Sequence, residues 1–228
     1  MRELLHSKLK RLFIAKLLPA ALLVCVLPIE SAQADRTDGF RVAVLGGITS
    51  NATATLVKND LPDILESSDE SSAAFGAIFC YGLGRFDLGV SVEHMGSGSF
   101  QGFSGNRRLG GKARIGSVLN WHFVAEPWGS MFFGLSPGVV FIQHNDQLRA
   151  EIATNLGRQP NQLDGIDRYN TGFSFSTNFG LSFRVNDTIS VMLDGQIVVN
   201  DVPLQEESDD LQYLSTQSVL RIGFAAQL

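Results

Sequence analysis

The chain has 228 residues, 18 basic and 23 acidic side chains, a formal charge of −5 at pH 7, 23 glycines, 16 phenylalanines and two cysteines. An acidic balance argues against nucleic acid as a partner. With so few cysteines, a disulfide-stapled scaffold is excluded.

Residues 1–34 read as a signal peptide. Arg2, Lys8, Lys10 and Arg11 precede an apolar run from Leu12 to Ile29, and Ser31-Ala32-Gln33-Ala34 precedes Asp35. A basic start, a greasy middle and an Ala-x-Ala end are the marks of a cleaved secretory leader. Lys16 and Pro19 interrupt the run, which disfavours a retained anchor. Cys25 sits in mid-run behind Val24 and reads as hydrophobic filler rather than a lipoprotein acceptor. Removing the leader takes away five basic and two acidic side chains, leaving 13 and 21 and a formal charge of −8. Cys80 is then the only cysteine, so an intramolecular disulfide and a Cys–His metal cluster are both excluded. Residues 35–228 are expected to form one domain.

Eight segments of that domain alternate apolar and polar side chains, the pattern of strands wet on one face and greasy on the other. The first two, Phe40 to Thr49 and Ala73 to Leu83, alternate weakly, with Leu45 and Ile78 on the inward parity. In Phe86 to Met95, Phe86, Leu88, Val90 and Val92 oppose Asp87, Ser91 and Glu93. In Arg108 to Phe123, Leu109, Ala113, Ile115, Leu119, Trp121 and Phe123 share one face and Arg108, Lys112, Arg114, Asn120 and His122 the other. Met131 to Gln143 carries bulky Phe132, Val140 and Ile142 on its inner parity and Pro137 in its interior; proline cannot donate to a ladder, so a bulge or a strand end is expected there.

The strongest alternation is in Tyr169 to Val185, where Phe173, Phe175, Phe179, Leu181, Phe183 and Val185 interleave with Ser174, Ser176, Asn178, Gly180, Ser182 and Arg184. In Ile189 to Asn200, Ile189, Val191, Leu193, Ile197 and Val199 oppose Ser190, Asp194 and Gln196; in Tyr213 to Leu228, Leu214, Leu220, Ile222, Phe224 and Leu228 oppose Ser215, Gln217 and Arg221. Most segments reach the ~9–11 residues a tilted strand needs to cross a bilayer.

Connections alternate between short (Gly84-Arg85, Val124 to Ser130, Asn186 to Thr188) and long (Ser50 to Ser72, Gly96 to Arg107, His144 to Arg168, Asp201 to Gln212). Short turns at one end and long loops at the other are the habit of bacterial outer-membrane barrels. An even strand count places both termini at the short-turn, periplasmic end and the long loops outside. Leu148, Ile152 and Leu156 at four-residue spacing suit a short helical turn in the third long loop.

A soluble ligand-binding barrel would put its apolar parity inside, but here the other parity carries the charges, which cannot face lipid cheaply. The expected lumen therefore holds Arg41, Asp87, Glu93, Lys112, Arg114, Arg184, Asp194 and Arg221. An unpaired ion there costs ~20 kcal/mol in the idealised limit, so these residues should pair with one another and with partners such as Gln196 and Gln217. Eight strands leave an interior just wide enough for side chains. A filled polar plug is therefore expected, with a narrow porin-like channel for small solutes as the alternative. Phe40, Tyr81, Phe86, Trp121, Phe123, Trp128 and Phe183 collect near the short-turn end as an aromatic girdle at headgroup level.

With these strands in place, the mature region resembles the small OmpA/OmpX-type outer-membrane barrels, the superfamily of opacity-like and Ail-like surface proteins. The final strand, Leu220-Arg221-Ile222-Gly223-Phe224-Ala225-Ala226-Gln227-Leu228, looks like the signal read by the barrel-assembly machinery, carried by Leu220, Ile222, Phe224 and Leu228. The family usually ends in Phe where this chain ends in Leu228. The resemblance implies residence in the outer membrane of a Gram-negative cell, a surface-recognition or structural role, and lipopolysaccharide and outer-membrane lipids as neighbours of a monomer. It implies no cofactor.

Some barrels of this size deacylate lipid A, and Glu93-His94-Met95-Gly96-Ser97 resembles that site in having an outward His near a Ser and an acid. The family pattern is His-x-Ser, whereas Ser97 falls one residue late and Glu93 lies on the opposite parity. His94 and Ser97 are therefore weak candidates, and an interfacial His is the plainer reading. His122, His144, Asp146, Asp164 and Asp167 show no metal-ligand spacing and read as solvated. Gly96-Ser97-Gly98 and Gly102 to Gly111 lack a following Lys-Thr and read as mobile loop, not a phosphate cradle. Asp60, Asp63, Glu66, Asp69 and Glu70, and Asp201, Glu206, Glu207, Asp209 and Asp210, form two acidic patches on which divalent cations could bridge to lipid phosphates.

Overall fold

Period-two alternation becomes strand wherever the sequence shows it. The computed structural model describes residues 38–58, 61–67, 71–96, 99–102, 105–108, 111–155, 157, 159, 168–203 and 211–228. In chain order these form β1 (Gly39–Lys58), β2 (Leu61–Ser67), β3 (Ser72–Leu83), β4 (Phe86–Met95), β5 (Ser99–Gly102), β6 (Gly105–Arg108), β7 (Lys112–Glu126), β8 (Gly129–Gln143), α1 (Asp146–Asn155), β9 (Tyr169–Arg184), β10 (Ile189–Pro203) and β11 (Leu211–Gln227). The expected leader, residues 1–34, lies outside the described residues.

Eight of these strands pair antiparallel with their neighbours in the ring β1-β3-β4-β7-β8-β9-β10-β11, and β11 returns to β1 from Arg41↔Gln227 to Lys58↔Leu211. Closure leaves these eight no free edge. The short turns have recognisable local causes. Gly84 takes φ +55 between β3 and β4, a conformation that glycine adopts without strain. Pro127 and Trp128 turn β7 into β8. Asn186 Oδ1 accepts from the backbone N–H groups of Thr188 (2.9 Å) and Ile189 (2.7 Å), turning β9 into β10.

Pro137 does not break its strand. It keeps its partner Phe175 on β9 in a continuous register, while on the β7 side the ladder skips the pairs between Gly116↔Gly138 and Leu119↔Leu135 without shifting. Proline lacks one donor only, so one neighbour loses a bond and the other loses nothing; Ser117 Oγ donates to the Pro137 carbonyl at 3.1 Å. The bulge expected at Pro137 lies instead in β7, between His122 and Val124.

The long connections are not all loop. β1 continues beyond the barrel after a register shift between Ser50 and Thr53, still paired to β11, and β2 pairs back on it from Ala54↔Leu65 to Lys58↔Leu61. The Gly-rich stretch read as mobile loop contributes β5 and β6, a hairpin joined to β2 through Glu66↔Gln101 and Ser67↔Phe100. A sheet β1-β2-β5-β6 thus rises from the rim, and α1, on Leu148 and Ile152 as the spacing suggests, contacts β6. Glycine and polar residues hid these strands because no lipid-facing parity marks them.

The wall is apolar outside and polar inside. Val44, Ile48, Phe75, Phe79, Leu88, Val90, Val92, Ile115, Ile197, Ile222 and Phe224 are exposed on the outer surface, whereas Arg114, Arg221, Lys112, Asp194, Glu93 and Asp87 are buried in the interior. This polarity is that of a membrane-spanning barrel of the outer-membrane type.

The lumen as candidate functional site

The middle of the lumen holds a four-residue ion cluster drawn from both sides of the ring. Glu93 on β4 accepts from Arg114 Nη1 on β7 at 3.2 Å through Oε2, and from Arg221 Nη1 on β11 at 3.2 Å through Oε1. Arg221 Nη2 also donates to Asp194 Oδ2 on β10. Arg114 spends its remaining donors on Ser174 Oγ (2.9 Å), Ser136 Oγ (2.8 Å) and the Ser136 carbonyl. Strand parity points all these side chains inward, and inside the ring no water-exposed alternative remains.

Toward the long-loop end, Lys112 Nζ donates to Gln217 Oε1 (3.2 Å) and Ser215 Oγ (3.3 Å) and lies 5.2 Å from the centre of the Tyr213 ring. Among the described residues it meets no carboxylate, so its charge is held by dipoles and a π face. Higher still, His144 Nε2 and Asn170 Oδ1 are 2.7 Å apart, and Asn170 Nδ2 donates to the Pro203 carbonyl at 3.1 Å.

Toward the short-turn end, Asp87 joins two partners. Arg41 Nη1 lies 2.8 Å from Oδ1 and His122 Nε2 lies 2.8 Å from Oδ2. The other ring nitrogen, His122 Nδ1, is 3.0 Å from Ser130 Oγ, and the imidazole rests 5.2 Å from the Phe132 ring. Above this group, Asn178 Nδ2 donates to Asn120 Oδ1 at 3.2 Å, and Ala43, Leu45, Ile78, Cys80 and Val118 form a small apolar cluster. A cavity of about 80 Å³ opens at this mouth, bordered by Arg41, Asp87, His122, Ser130 and Arg184 among others.

Of the eight charged residues assigned to the lumen, Arg41, Asp87, Glu93, Lys112, Arg114, Asp194 and Arg221 lie inside. Arg184 does not join their network: β9 ends there, and its side chain is exposed at the rim of the mouth cavity. Gln196 donates to Asp194 Oδ2 at 3.4 Å and Gln217 to Met95 Sδ. Phe132, Val140 and Ile142 fill the interior as their parity required.

The seven aromatics stand on the outer wall near the short turns. Phe40 and Tyr81 meet edge to face at 5.0 Å, Trp121 and Phe123 lie tilted at 5.9 Å, and Trp128 stacks on Phe183 at 6.1 Å. Leu220, Ile222, Phe224 and Leu228 are exposed on the outside of the last strand.

Two histidines read as solvated are not. His122 is 2% and His144 4% exposed, each hydrogen-bonded within the barrel. Their inward parity was the available signal, and it outweighs the general preference of a lone histidine for water. Ser130 was missed as well: it was assigned to a turn, and the bulge after His122 extends β7 and β8 past the expected boundary. Asp146, by contrast, is exposed and pairs with Arg149 at 3.3 Å.

His94 is exposed on the outer face between Phe75 and Ala113, and Glu93 is spent on Arg114 and Arg221 inside. Ser97 lies outside the described residues, as do Asp60, Asp69, Glu70, Asp164, Asp167, Glu206, Glu207, Asp209 and Asp210. Asp201 extends β10 and is exposed. Among the described residues no group of His, Cys, Asp and Glu is arranged to hold a metal ion.

No protein-family model and no curated protein matches the sequence. Solved structures with a similar chain path include Neisserial surface protein A (10% identity, 83% of this chain and 97% of that one, TM-score 0.48). OprG from Pseudomonas aeruginosa follows at 12% identity, 83% and 96% coverage and a TM-score of 0.45. The outer membrane protease OmpT from Escherichia coli follows at 8% identity, 87% and 99% coverage and a TM-score of 0.46. These are likenesses of general shape. The class of this chain, a closed eight-stranded barrel of the outer membrane, is set by its own strand pairing and by the apolar outside of its wall.

Proposed function

We propose that this protein is an integral outer-membrane barrel with a sealed lumen, which serves a structural or surface-recognition role through its long-loop end. The observation that carries this reading is the Glu93–Arg114–Arg221–Asp194 cluster. Four ionisable groups from four strands meet across the interior, and a solute would have to part them to pass. What remains to face partners is the rim sheet β1-β2-β5-β6 with α1, placed outside by the even strand count. Outer-membrane lipids and lipopolysaccharide surround it in this reading, and the barrel-assembly machinery inserts a monomer.

Planar-bilayer recording on the folded full chain tests the seal. No discrete conductance steps are expected in wild type, and steps are expected when Glu93→Ala and Arg114→Ala together remove two of the three central pairs. Steps of similar size in the wild type would favour a narrow solute channel instead. The lipid A reading has no support from the placement of His94, since the neighbouring acid points into the lumen.

A further inference from the structure

We infer that Ser130, His122 and Asp87 form a nucleophile, base and orienting acid able to hydrolyse a short-chain acyl ester that enters the short-turn mouth of the barrel. This goes beyond the surface role and concerns the opposite end of the molecule.

The hydrogen-bond roles follow from elementary chemistry. An ionised Asp87 can only accept, so His122 Nε2, 2.8 Å from Oδ2, carries its ring proton. In the neutral imidazole, Nδ1 is then an acceptor, and the group that faces it at 3.0 Å is the Ser130 hydroxyl. Arg41 Nη1 donates to the other Asp87 oxygen at 2.8 Å and so fixes the orientation of that carboxylate. A hydroxyl donating to a base that is oriented by an acid is the arrangement that turns serine into a nucleophile, and it is recognised by geometry rather than by sequence order.

Three further observations point to use rather than to mere packing. The three residues border one cavity of about 80 Å³ that is open at the mouth. On that measure one water needs about 10–15 Å³, so there is room for a small acyl group. The β7 bulge falls between the ladder pairs that hold His122 and Ser130, and bulges commonly re-aim a side chain beside a reacting centre. Arg184 follows two residues after Ser182, the direct cross-strand partner of Ser130, so it is the diagonal neighbour of that serine. It borders the same cavity and offers a cation to a developing oxyanion.

The reaction balances without any redox partner. Ser130 Oγ bonds to the acyl carbon as its proton passes to His122 Nδ1, and the tetrahedral adduct then breaks its bond to the alcohol oxygen, which leaves with that proton. Water gives a proton to the same nitrogen and bonds to the acyl carbon; the bond from that carbon to Ser130 Oγ then breaks, the carboxylic acid leaves, and His122 Nδ1 returns the proton to Oγ.

The test uses the full chain folded in detergent micelles, with methanesulfonyl fluoride as the probe and peptide mass spectrometry as the readout. One sulfonyl group on the Ser130 peptide is expected in the folded protein and none in a boiled control, with hydrolysis of p-nitrophenyl acetate lost in step. His122→Gln should slow the labelling by ~10²–10⁴-fold, the usual contribution of a general base, while the fast-migrating folded band persists. If that variant does not fold, the wild-type contrast between folded and boiled protein decides. An unlabelled Ser130 in the folded barrel, or equal labelling of folded and boiled protein, overturns the inference.

Discussion

Glu93 holds two guanidinium groups, Arg114 and Arg221, in a place where neither has water to fall back on. Removing one partner of such a set strands the others as buried charge, which costs ~3–5 kcal/mol. Glu93→Gln should therefore lower the urea midpoint of the folded protein in lipid vesicles by that equivalent, followed by Trp121 and Trp128 fluorescence; a change under ~1 kcal/mol would show that the cluster is solvated. The pair of Asp146 and Arg149 has the same formal chemistry, but with Asp146 exposed its contribution is set by solvent screening. Asp146→Asn is expected to shift the same midpoint by less than ~0.5 kcal/mol.

At the scale of one element, β9 shows why a glycine sits among its serines. A Cβ on Gly180 would come within 2.1 Å of the ring of Phe132, its direct cross-strand partner on β8. Gly180→Val should therefore destabilise the barrel by ~1–3 kcal/mol through overpacking. Phe132→Ala in the same chain should recover much of the loss, as read by the temperature at which the folded band disappears on a gel. On the opposite face of β4, Val90 is half exposed to the surroundings of the wall. Arginine there is expected to cost ~2–4 kcal/mol in a lipid bilayer, the value for a charge near the midplane of a barrel's outer surface. The same substitution in a water-soluble barrel would cost little.

The elements also show where the sequence could be read and where it could not. Tyr169 to Arg184 was legible because lipid outside and a polar lumen inside force opposite chemistry onto successive residues, and β4 matched its expected bounds, Phe86–Met95. β2, β5 and β6 were not, since beyond the bilayer neither face must be apolar and the alternation disappears. Pro137 misled for another reason: its local rule concerns one missing donor, and a strand with two neighbours tolerates that loss on one side. The ion cluster was legible as a list of inward charges. Its pairing was not: Glu93 faces Arg114 through the β4–β7 register, and it meets Arg221 only once β4 and β11 stand across the ring from each other.

For the whole molecule, closure and polarity arise from one pattern. Apolar residues on every second position give the eight-stranded wall a surface that lipid can cover, and the residues between them have no neighbours but one another. Their charges can persist inside only as the paired and hydrogen-bonded set seen around Glu93, Asp87 and Lys112. The central claim is therefore the direction of that polarity, and a cysteine scan from Lys112 to Glu126 tests it most directly. Each position is spin-labelled in a Cys80→Ser background, folded into lipid vesicles and probed with oxygen, which partitions into lipid, and with a water-soluble nickel complex. High oxygen access at Ala113, Ile115, Ser117 and Leu119 alternating with low access at Lys112, Arg114, Gly116 and Val118 is the expected result; equal access at both sets, or the inverse alternation, would contradict a barrel that faces lipid with its apolar side.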